Sequence, residues 1–262
     1  MNGIVDIAIE AARLGAKVIV PMLGKAAVAS KGQSFNLVTE ADRASEGAIK
    51  DFLLREMPDN SLLSEEGFQN TALTADRLWI VDPLDGTTNF AHQIPHFAVS
   101  VAFAEKGKLI AGAVYDPLLK EMFSASAGKG AFLNGAPIKV SQAANLTQSL
   151  ICTGFYYDRG ATLKKTIDAV HNLLRSEIHD IRRSGCASLD LSWLAVGRFD
   201  GYFEYSLSPW DFAAGLLILR EAGGTASDPD GDDASLFSKG LLCSNGLIHR
   251  ELLGHVLAPV SL

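Results

Sequence analysis

Apolar residues recur at helical spacing in two stretches near the start of the chain. Over residues 4–23 they return every three or four positions, which predicts an amphipathic helix that faces a core. Pro21 lacks a backbone N–H, so it should bend or shorten the end of this helix. A second helix is predicted over residues 42–55, after a polar pattern typical of a helix N-terminus.

The following stretches are shorter, rich in apolar and β-branched residues, and interrupted by turn residues, which is typical of strands. A short strand should cover residues 61–63, and the apolar run at residues 78–81 should form a buried strand that Pro83 and Gly86 end. Three more strands are predicted at residues 97–105, 109–115 and 121–125. Lys-Gly and Asp-Pro turns join these three, so we expect an antiparallel meander.

The second half of the chain alternates between helix and strand patterns, which is typical of α/β structure. Its helices are predicted at residues 160–175, 186–196, 211–221 and 247–257. A polar stretch at residues 141–149 is the best candidate for a junction. We therefore expect a single domain with two subdomains, an α+β part over residues 1–143 and an α/β part over residues 144–262.

Two carboxylates, Asp82 and Asp85, stand three residues apart at the carboxyl end of the predicted buried strand. Gly86 and Thr87 follow at a predicted helix start, where backbone N–H groups can bind an anion. Hard oxygen ligands beside an anion-binding turn indicate divalent cations that bridge protein and phosphate. Asp-Pro and Asp-Gly are also common turn pairs, so a polar β-turn fits these residues equally well.

Three more acids occupy element ends: Glu65 after a strand, Asp42 and Asp211 near helix starts. Each has an ordinary alternative, because acids at helix N-termini act as caps and Glu65 could be a solvated loop acid. If these carboxylates converged with Asp82 and Asp85, they would bind two or three Mg²⁺ ions. Spacing along the chain does not establish that they converge.

Composition excludes some classes of function. The 262 residues carry a net charge of -7 with scattered basic residues, so tight direct binding of nucleic acid is not expected. The three cysteines have no CxxC spacing, which favours reduced thiols and a cytoplasmic protein over disulfides or zinc. We expect neither a secretion signal nor a membrane span.

Four motifs together resemble the inositol monophosphatase family of Mg²⁺-dependent, lithium-sensitive phosphatases, and its bacterial branch in particular. They are the NLVTEAD segment, the SEEG pair, the run WIVDPLDGTTNF, and WDFAAG followed by REAGG. They occur in the family's order from Lys31 to beyond Gly224. The resemblance implies a mixed α/β fold, a layered α-β-α-β-α sandwich of the inositol monophosphatase and fructose-1,6-bisphosphatase type.

The resemblance also implies roles for individual residues. Glu65, Asp82 and the backbone carbonyl of Leu84 would hold a first Mg²⁺, and Asp82, Asp85 and Asp211 a second, while Glu65 would also touch a looser third ion. Catalysis would rest on Glu65 and on Thr87, paired with Asp42 to position and deprotonate the attacking water. The substrate would contact Gly86, Thr87, Gly185, Cys186, Ala187, Glu204 and Asp211.

The chain departs from the family pattern in two places. Asn36 stands where many relatives carry an acid before LVT, and the segment between Glu65 and Asp82 is shorter than in the animal enzymes. Since neither change removes an implied ligand, we expect tuning of the third ion rather than loss of activity.

The resemblance implies hydrolysis of myo-inositol monophosphate by metal-activated water. Alternative substrates are fructose 1,6-bisphosphate, phosphoadenosine phosphate and histidinol phosphate. A hypothesis of another class is a transcription-antitermination partner whose phosphatase activity is incidental. The family further implies a homodimer.

Overall fold

The computed structural model describes residues 3–30, 37–67 and 73–258. Its helices are α1 Ile4–Ile19, α2 Glu40–Glu56, α3 Thr87–Ala91, α4 Ala161–Arg175, α5 Ala187–Ala195, α6 Pro209–Glu221 and α7 His249–Leu257. All the long helices expected from the sequence are therefore present, with ends that differ by a few residues. The first one ends at Ile19 and is followed by a 3-10 turn at Val20–Met22 that contains Pro21, so the helix is shortened as the missing N–H predicts.

A short antiparallel pair of strands, β1 Val28–Ser30 and β2 Leu37–Thr39, precedes α2. A seven-stranded sheet then follows the chain in order: β3 Ser61–Ser64, β4 Arg77–Asp85, β5 Ala98–Glu105, β6 Lys108–Asp116, β7 Glu121–Ser126, β8 Ala131–Leu133 and β9 Ala136–Ile138. β3 is parallel to β4, and every later pair is antiparallel. The predicted meander is confirmed.

The expected end of β4 at Pro83 is wrong. The strand continues to Asp85, and its pairing with β5 shifts register between Asp82 and Asp85. At such an irregularity a residue leaves the ladder of hydrogen bonds, so a proline without an N–H is tolerated there. The irregular segment places both aspartates near the carboxyl end of β4.

A second, five-stranded sheet is built from the later part of the chain: β10 Leu150–Thr153, β11 Asp180–Arg182, β12 Gly201–Glu204, β13 Thr225–Ser227 and β14 Leu241–Ser244. Its spatial order is β11-β10-β12-β14-β13. β10 is parallel to β11 and β12, whereas β14 is antiparallel to β12 and β13. The polar stretch at residues 141–149 lies between the two sheets along the chain, and the division into two subdomains stays a prediction.

The elements stack in five layers. α1 and α2 pack on one face of the seven-stranded sheet, and α5 and α6 pack on the other face and reach the five-stranded sheet. α4 and α7 cover the far side of the second sheet. A Cβ at Gly112 of β6 would lie 3.0 Å from Cα of Ala214, so glycine allows α6 to approach the sheet closely. The predicted α-β-α-β-α sandwich is confirmed.

Within the described residues, no helix is both long enough and apolar enough to cross a bilayer.

Candidate active site

A cavity of about 470 Å³ opens where the ends of β3, β4, β10 and β12 meet the starts of α3, α5 and α6. All but one of the site residues expected from the sequence line it: Glu65, Asp82, Leu84, Asp85, Gly86, Thr87, Gly185, Cys186, Ala187, Glu204 and Asp211. Asp42 does not line the cavity: it is fully buried and contacts the cavity residue Thr87 through a hydrogen bond. The fold thus gathers into one place residues that are up to 146 positions apart in the sequence.

Asp82 is one of the most deeply buried carboxylates of the cavity. Its residue is 2% exposed, and burial raises its pKa well above the usual value, with further increases from the carboxylates of Glu65, Asp85 and Asp211. The N–H of Leu84 donates to its Oδ1 at 3.1 Å. Because one backbone hydrogen bond cannot balance so much negative charge, this position favours a cation.

Asp85 connects the end of β4 to the start of α5. The backbone N–H of Ser188 donates to Asp85 Oδ2 at 2.7 Å, and the Cys186 thiol donates to the Asp85 carbonyl at 3.4 Å. Burial raises the pKa of Asp85, and the hydrogen bonds from Ser188 oppose this increase. The contact fixes the second half of the chain against the strand that carries both aspartates.

Asp211 combines a capping role with a place in the cavity. It lies in the first turn of α6, where the N–H of Ser208 donates to its Oδ2 at 2.7 Å in a capping box. Burial raises its pKa well above the usual value, and Glu65 and Asp85 raise it further. The same carboxylate therefore caps the helix and adds negative charge to the cavity.

Glu65 lies in the turn after β3, and a residue that the sequence did not indicate holds this turn. Glu46 of α2 accepts hydrogen bonds at Oε1 from the N–H groups of Glu66, at 3.2 Å, and Gly67, at 3.0 Å. The Ser64 hydroxyl donates to the same oxygen. Nothing in the local pattern of α2 distinguishes Glu46 from a solvated helix acid.

The donor set suits a hard divalent cation in its chemistry. Glu65, Asp82, Asp85 and Asp211 supply carboxylate oxygens, and their mutual repulsion would be relieved by bound positive charge. Across residues 3–30, 37–67 and 73–258, however, no three His, Cys, Asp or Glu side chains stand ready-made as a metal site. The carboxylates share the cavity, and their side chains would have to come closer together to coordinate an ion jointly.

Thr87 and Asp42 form a hydrogen-bonded pair between α3 and α2. The Thr87 hydroxyl lies 3.0 Å from Asp42 Oδ1 and 3.0 Å from the carbonyl oxygen of Leu84. The other carboxylate oxygen of Asp42 accepts from the Thr39 amide at 2.8 Å and from the Thr39 hydroxyl at 2.6 Å. Asp42 therefore caps α2 and orients Thr87 at the same time.

Gly86 precedes α3 in a left-handed backbone conformation that favours glycine. Its φ of 89° lies in the left-handed region, and a Cβ there would come 3.0 Å from the carbonyl oxygen of His96. Glycine therefore brings the main chain of residues 86 and 87 to the cavity wall without obstruction.

A second part of the cavity wall contains the loop at residues 185–187 and the end of β12. Gly185 has a φ of 89°, and Cys186 is the N-cap residue of α5. Burial raises the pKa of Glu204 to about 7; Tyr202 and Arg183 lower it, while Asp190 and Asp85 raise it.

Some residues of the cavity wall were not expected from the sequence: Tyr156, Tyr157, Arg159, Arg183 and Asp190. They lie in loops or on a helix without a motif, so only the fold reveals their position. Asn36, and residues 68–72 of the segment before Asp82, fall outside the described residues.

Comparison with known proteins assigns the chain to a family. The sequence model of the inositol monophosphatase family matches residues 2–261. A protein of Synechocystis sp. named inositol-1-monophosphatase is 42% identical over 248 residues, which cover 94% of this chain and 86% of that one. The Nus factor SuhB of Salmonella typhimurium is 38% identical over 258 residues, which cover 98% of this chain and 96% of the SuhB chain.

The fold agrees with a solved structure of the same group. The extragenic suppressor protein suhB of Bartonella henselae superimposes with a TM-score of 0.92 and 35% identity, covering 99% of this chain and all of its own. The relatives match nearly from end to end, and the chain carries the acidic cavity described above. This phosphatase belongs to the inositol monophosphatase family.

Proposed function

We propose that the protein is a Mg²⁺-dependent phosphatase that hydrolyses myo-inositol monophosphate to myo-inositol and phosphate. The observation that carries the proposal is the cavity that Glu65, Asp82, Asp85 and Asp211 line together. Burial, and secondarily the charges of the other three carboxylates, raise the pKa of Asp82. A fold does not keep such a costly arrangement of charge for stability alone. Bound cations would turn this repulsion into attraction.

We assign the first ion to Glu65, Asp82 and the Leu84 carbonyl, and the second to Asp82, Asp85 and Asp211; Glu65 would also serve a third. When bound, such ions neutralise phosphoryl oxygens and the leaving alkoxide and lower the pKa of a water molecule. Oxygen-only donors favour Mg²⁺ over thiolate-seeking metals. Among the described residues, Asp82 and Asp211 each use one oxygen for a backbone hydrogen bond, which leaves the second for a cation.

We propose that Thr87 and Asp42 position the attacking water. The Thr87 hydroxyl directs its single proton to Asp42 Oδ1 or the Leu84 carbonyl, both at 3.0 Å, so its oxygen lone pairs are left to accept a hydrogen bond from water. The Thr39 contacts immobilise Asp42, so the pair is preorganised to receive the proton that the water loses.

The remaining residues would hold the substrate. The amides of Gly86 and Thr87 would contact the phosphate at the start of α3. Glu204 would accept a hydrogen bond from a hydroxyl of the alcohol, and Gly185, Cys186 and Ala187 would line the space for its ring. A carboxylate acceptor beside the small residues of this loop suits the hydroxyl groups of a polyol.

A substrate panel tests this assignment. We expect kcat/KM to be highest for myo-inositol 1-phosphate, to depend on Mg²⁺, and to be inhibited by lithium. The panel should include fructose 1,6-bisphosphate, phosphoadenosine phosphate and histidinol phosphate, measured with the same enzyme preparation. If kcat/KM for one of these compounds exceeded that for inositol phosphate by more than about tenfold, or about 1.4 kcal/mol, that compound would replace inositol phosphate as the proposed substrate.

A second role in transcription is supported by the relative that carries the name Nus factor. Association with RNA polymerase and its elongation factors at physiological salt would establish this role, and its absence in a pull-down would exclude it. The same purified protein would show by light scattering whether it is the homodimer that we propose.

A further inference from the structure

The side chain of Glu204 accepts a hydrogen bond from a buried tyrosine. The Tyr202 hydroxyl donates to Glu204 Oε2 at 2.7 Å, and the Tyr202 side chain is fully buried in the core. Burial, and secondarily the charge of Glu204, raise the pKa of Tyr202 well above its usual value, so the phenol keeps its proton and acts as a donor. The hydrogen bond therefore engages one carboxylate oxygen and orients the other.

Space for the carboxylate exists only because residue 154 is glycine. A Cβ built on Gly154 would fall 1.8 Å from Oε2 and 2.6 Å from Oε1 of Glu204, so no other residue is compatible with this side-chain position. Gly154 follows β10, which is the parallel neighbour of β12 in the sheet. Two neighbouring segments thus determine the position of Glu204: β12 through the hydrogen bond from Tyr202, and the residue after β10 by leaving space for the carboxylate.

We propose that Tyr202 and Gly154 are positioning residues that hold the Glu204 carboxylate ready to accept a hydrogen bond from the substrate's alcohol. The inference rests on the proposed function, because it assigns these residues to recognition of the same polyol. Neither residue touches the reacting phosphate. Their effect should fall on KM and leave kcat nearly unchanged, since a contact made equally in the ground and transition states contributes to binding alone.

The charges around Glu204 determine how its protonation follows pH. Asp190 of α5 and Asp85 of β4 raise its pKa, whereas the Tyr202 hydrogen bond and the Arg183 guanidinium lower it. Asp211 of α6 also faces it, since Glu204 raises the pKa of that carboxyl. Loss of the Tyr202 hydroxyl removes one stabilising contact of the ionised form, so the pKa of Glu204 should rise.

The test compares Tyr202→Phe with Tyr205→Phe, which makes the same change three residues further on. The Tyr205 hydroxyl donates to the carbonyl of Val256 at 3.0 Å and not to the Glu204 carboxylate. At fixed Mg²⁺, we expect Tyr202→Phe to raise KM for myo-inositol 1-phosphate about tenfold, with kcat within about twofold. Tyr205→Phe should change neither constant. The low-pH limb of 1/KM should shift to higher pH in Tyr202→Phe alone.

A second pair of variants tests the space beside Glu204. Gly154→Ala should raise KM at least as much as Tyr202→Phe, because the carboxylate must leave its position. Gly47→Ala, in α2 with no atom within 4 Å of the added Cβ, is the matched control and should leave KM unchanged. A fall in kcat at constant KM for the Gly154 and Tyr202 variants would overturn the proposal.

A titration by NMR with ¹³C-labelled glutamate separates this proposal from the proposed function. The Glu204 carboxyl should titrate at higher pH in Tyr202→Phe than in the wild type, whether or not the protein turns over inositol phosphate. Lack of phosphatase activity in the wild type would remove the proposed function only. An unchanged pKa of Glu204 in Tyr202→Phe would overturn the positioning role, and so would an equal shift in Tyr205→Phe.

Discussion

The two walls of the cavity differ in how their acidic groups are balanced. On the first wall, Glu65, Asp82, Asp85 and Asp211 face one another, and repulsion between them contributes to the raised pKa values. On the second wall, Glu204 receives a hydrogen bond from Tyr202 and lies near the Arg183 guanidinium. Within the part of the chain that the structure describes, only carboxylates are seen to shift the pKa values of Asp82 and Asp211 by their charge, so the first wall suits cations. Glu204 instead has a hydroxyl donor and a guanidinium that oppose the effect of burial, so the second wall suits neutral hydroxyl groups.

This difference predicts different kinetic effects. Changes in the acidic wall should lower kcat, because its carboxylates would hold the cations that offset charge developing only in the transition state. Changes in the Glu204 wall should raise KM. The following predictions test this separation, beginning with the largest expected effect.

Asp85→Asn and Asp211→Asn should each lower kcat by more than about 1000-fold, because loss of a carboxylate weakens the hold on a cation in the transition state. Phosphate release at saturating Mg²⁺ measures the effect, and circular dichroism should show an intact fold. Asp168→Asn on α4, where the carboxylate pairs only with Lys164 among the described residues, is the control. Near-normal activity of Asp211→Asn would refute the proposed ligand set.

Thr87→Val should lower kcat about 100-fold with little change in KM, because the variant keeps its shape but cannot orient or deprotonate water. Asp42→Asn should have a similar effect, and the double variant should be no worse than either single one, since the two residues act as a unit. Steady-state kinetics of the three variants measures the coupling. Additive losses would mean that Asp42 acts only as the cap of α2.

The stability of the metal-free protein should fall as pH rises. The folded-state pKa values of Asp82, Asp85 and Asp211 are raised above the unfolded values. Their contribution to stability is therefore fully present below the unfolded pKa near 4 and is lost as pH rises through the folded values. Thermal unfolding in a chelator should show this trend, and Asp82→Asn should flatten it.

Mg²⁺ should reverse this loss. At a concentration one hundred times the Kd, it should add about 2.7 kcal/mol to the free energy of unfolding at neutral pH. Equal stability with and without Mg²⁺ in the wild type would contradict cation binding by this wall.

Glu46→Ala should have the smallest effect on catalysis. Losing the acceptor for the turn at residues 64–67 should cost about 1–3 kcal/mol of unfolding free energy and raise the Mg²⁺ concentration for half-maximal activity a few-fold. Glu56→Ala on the same helix, whose carboxylate meets Arg55 at the exposed surface, is the control. An unchanged Mg²⁺ requirement would mean that Glu46 serves the fold without helping to place Glu65.

The sequence revealed the features that depend on local patterns. Short apolar runs joined by Lys-Gly and Asp-Pro turns predicted the meander, and the helix-start pattern around Asp211 predicted its place in the first turn of α6. Local reasoning failed at Pro83, because the register shift that accommodates the proline depends on pairing with β5. The short strands β8 and β9 were also missed, since three residues are too few to establish a period.

Contacts between distant segments were beyond local reasoning. Glu46 is 20 residues from Glu66 in sequence, and Gly154 is 50 residues from the glutamate that it accommodates. No spacing rule links such pairs, because tertiary packing alone brings them together. The motif resemblance supplied the acidic wall, and the packing of β10 against β12 reveals what restrains Glu204.

Anomalous diffraction from crystals soaked in Mn²⁺, a stand-in for Mg²⁺, tests the central claim that the acidic wall binds divalent cations. The account predicts two or three anomalous peaks in the cavity, within about 2.0–2.3 Å of oxygens of Glu65, Asp82, Asp85 and Asp211. The side chains should have turned inward relative to the cation-free arrangement. Peaks elsewhere, or an empty cavity at Mn²⁺ concentrations that support full activity, would contradict the account.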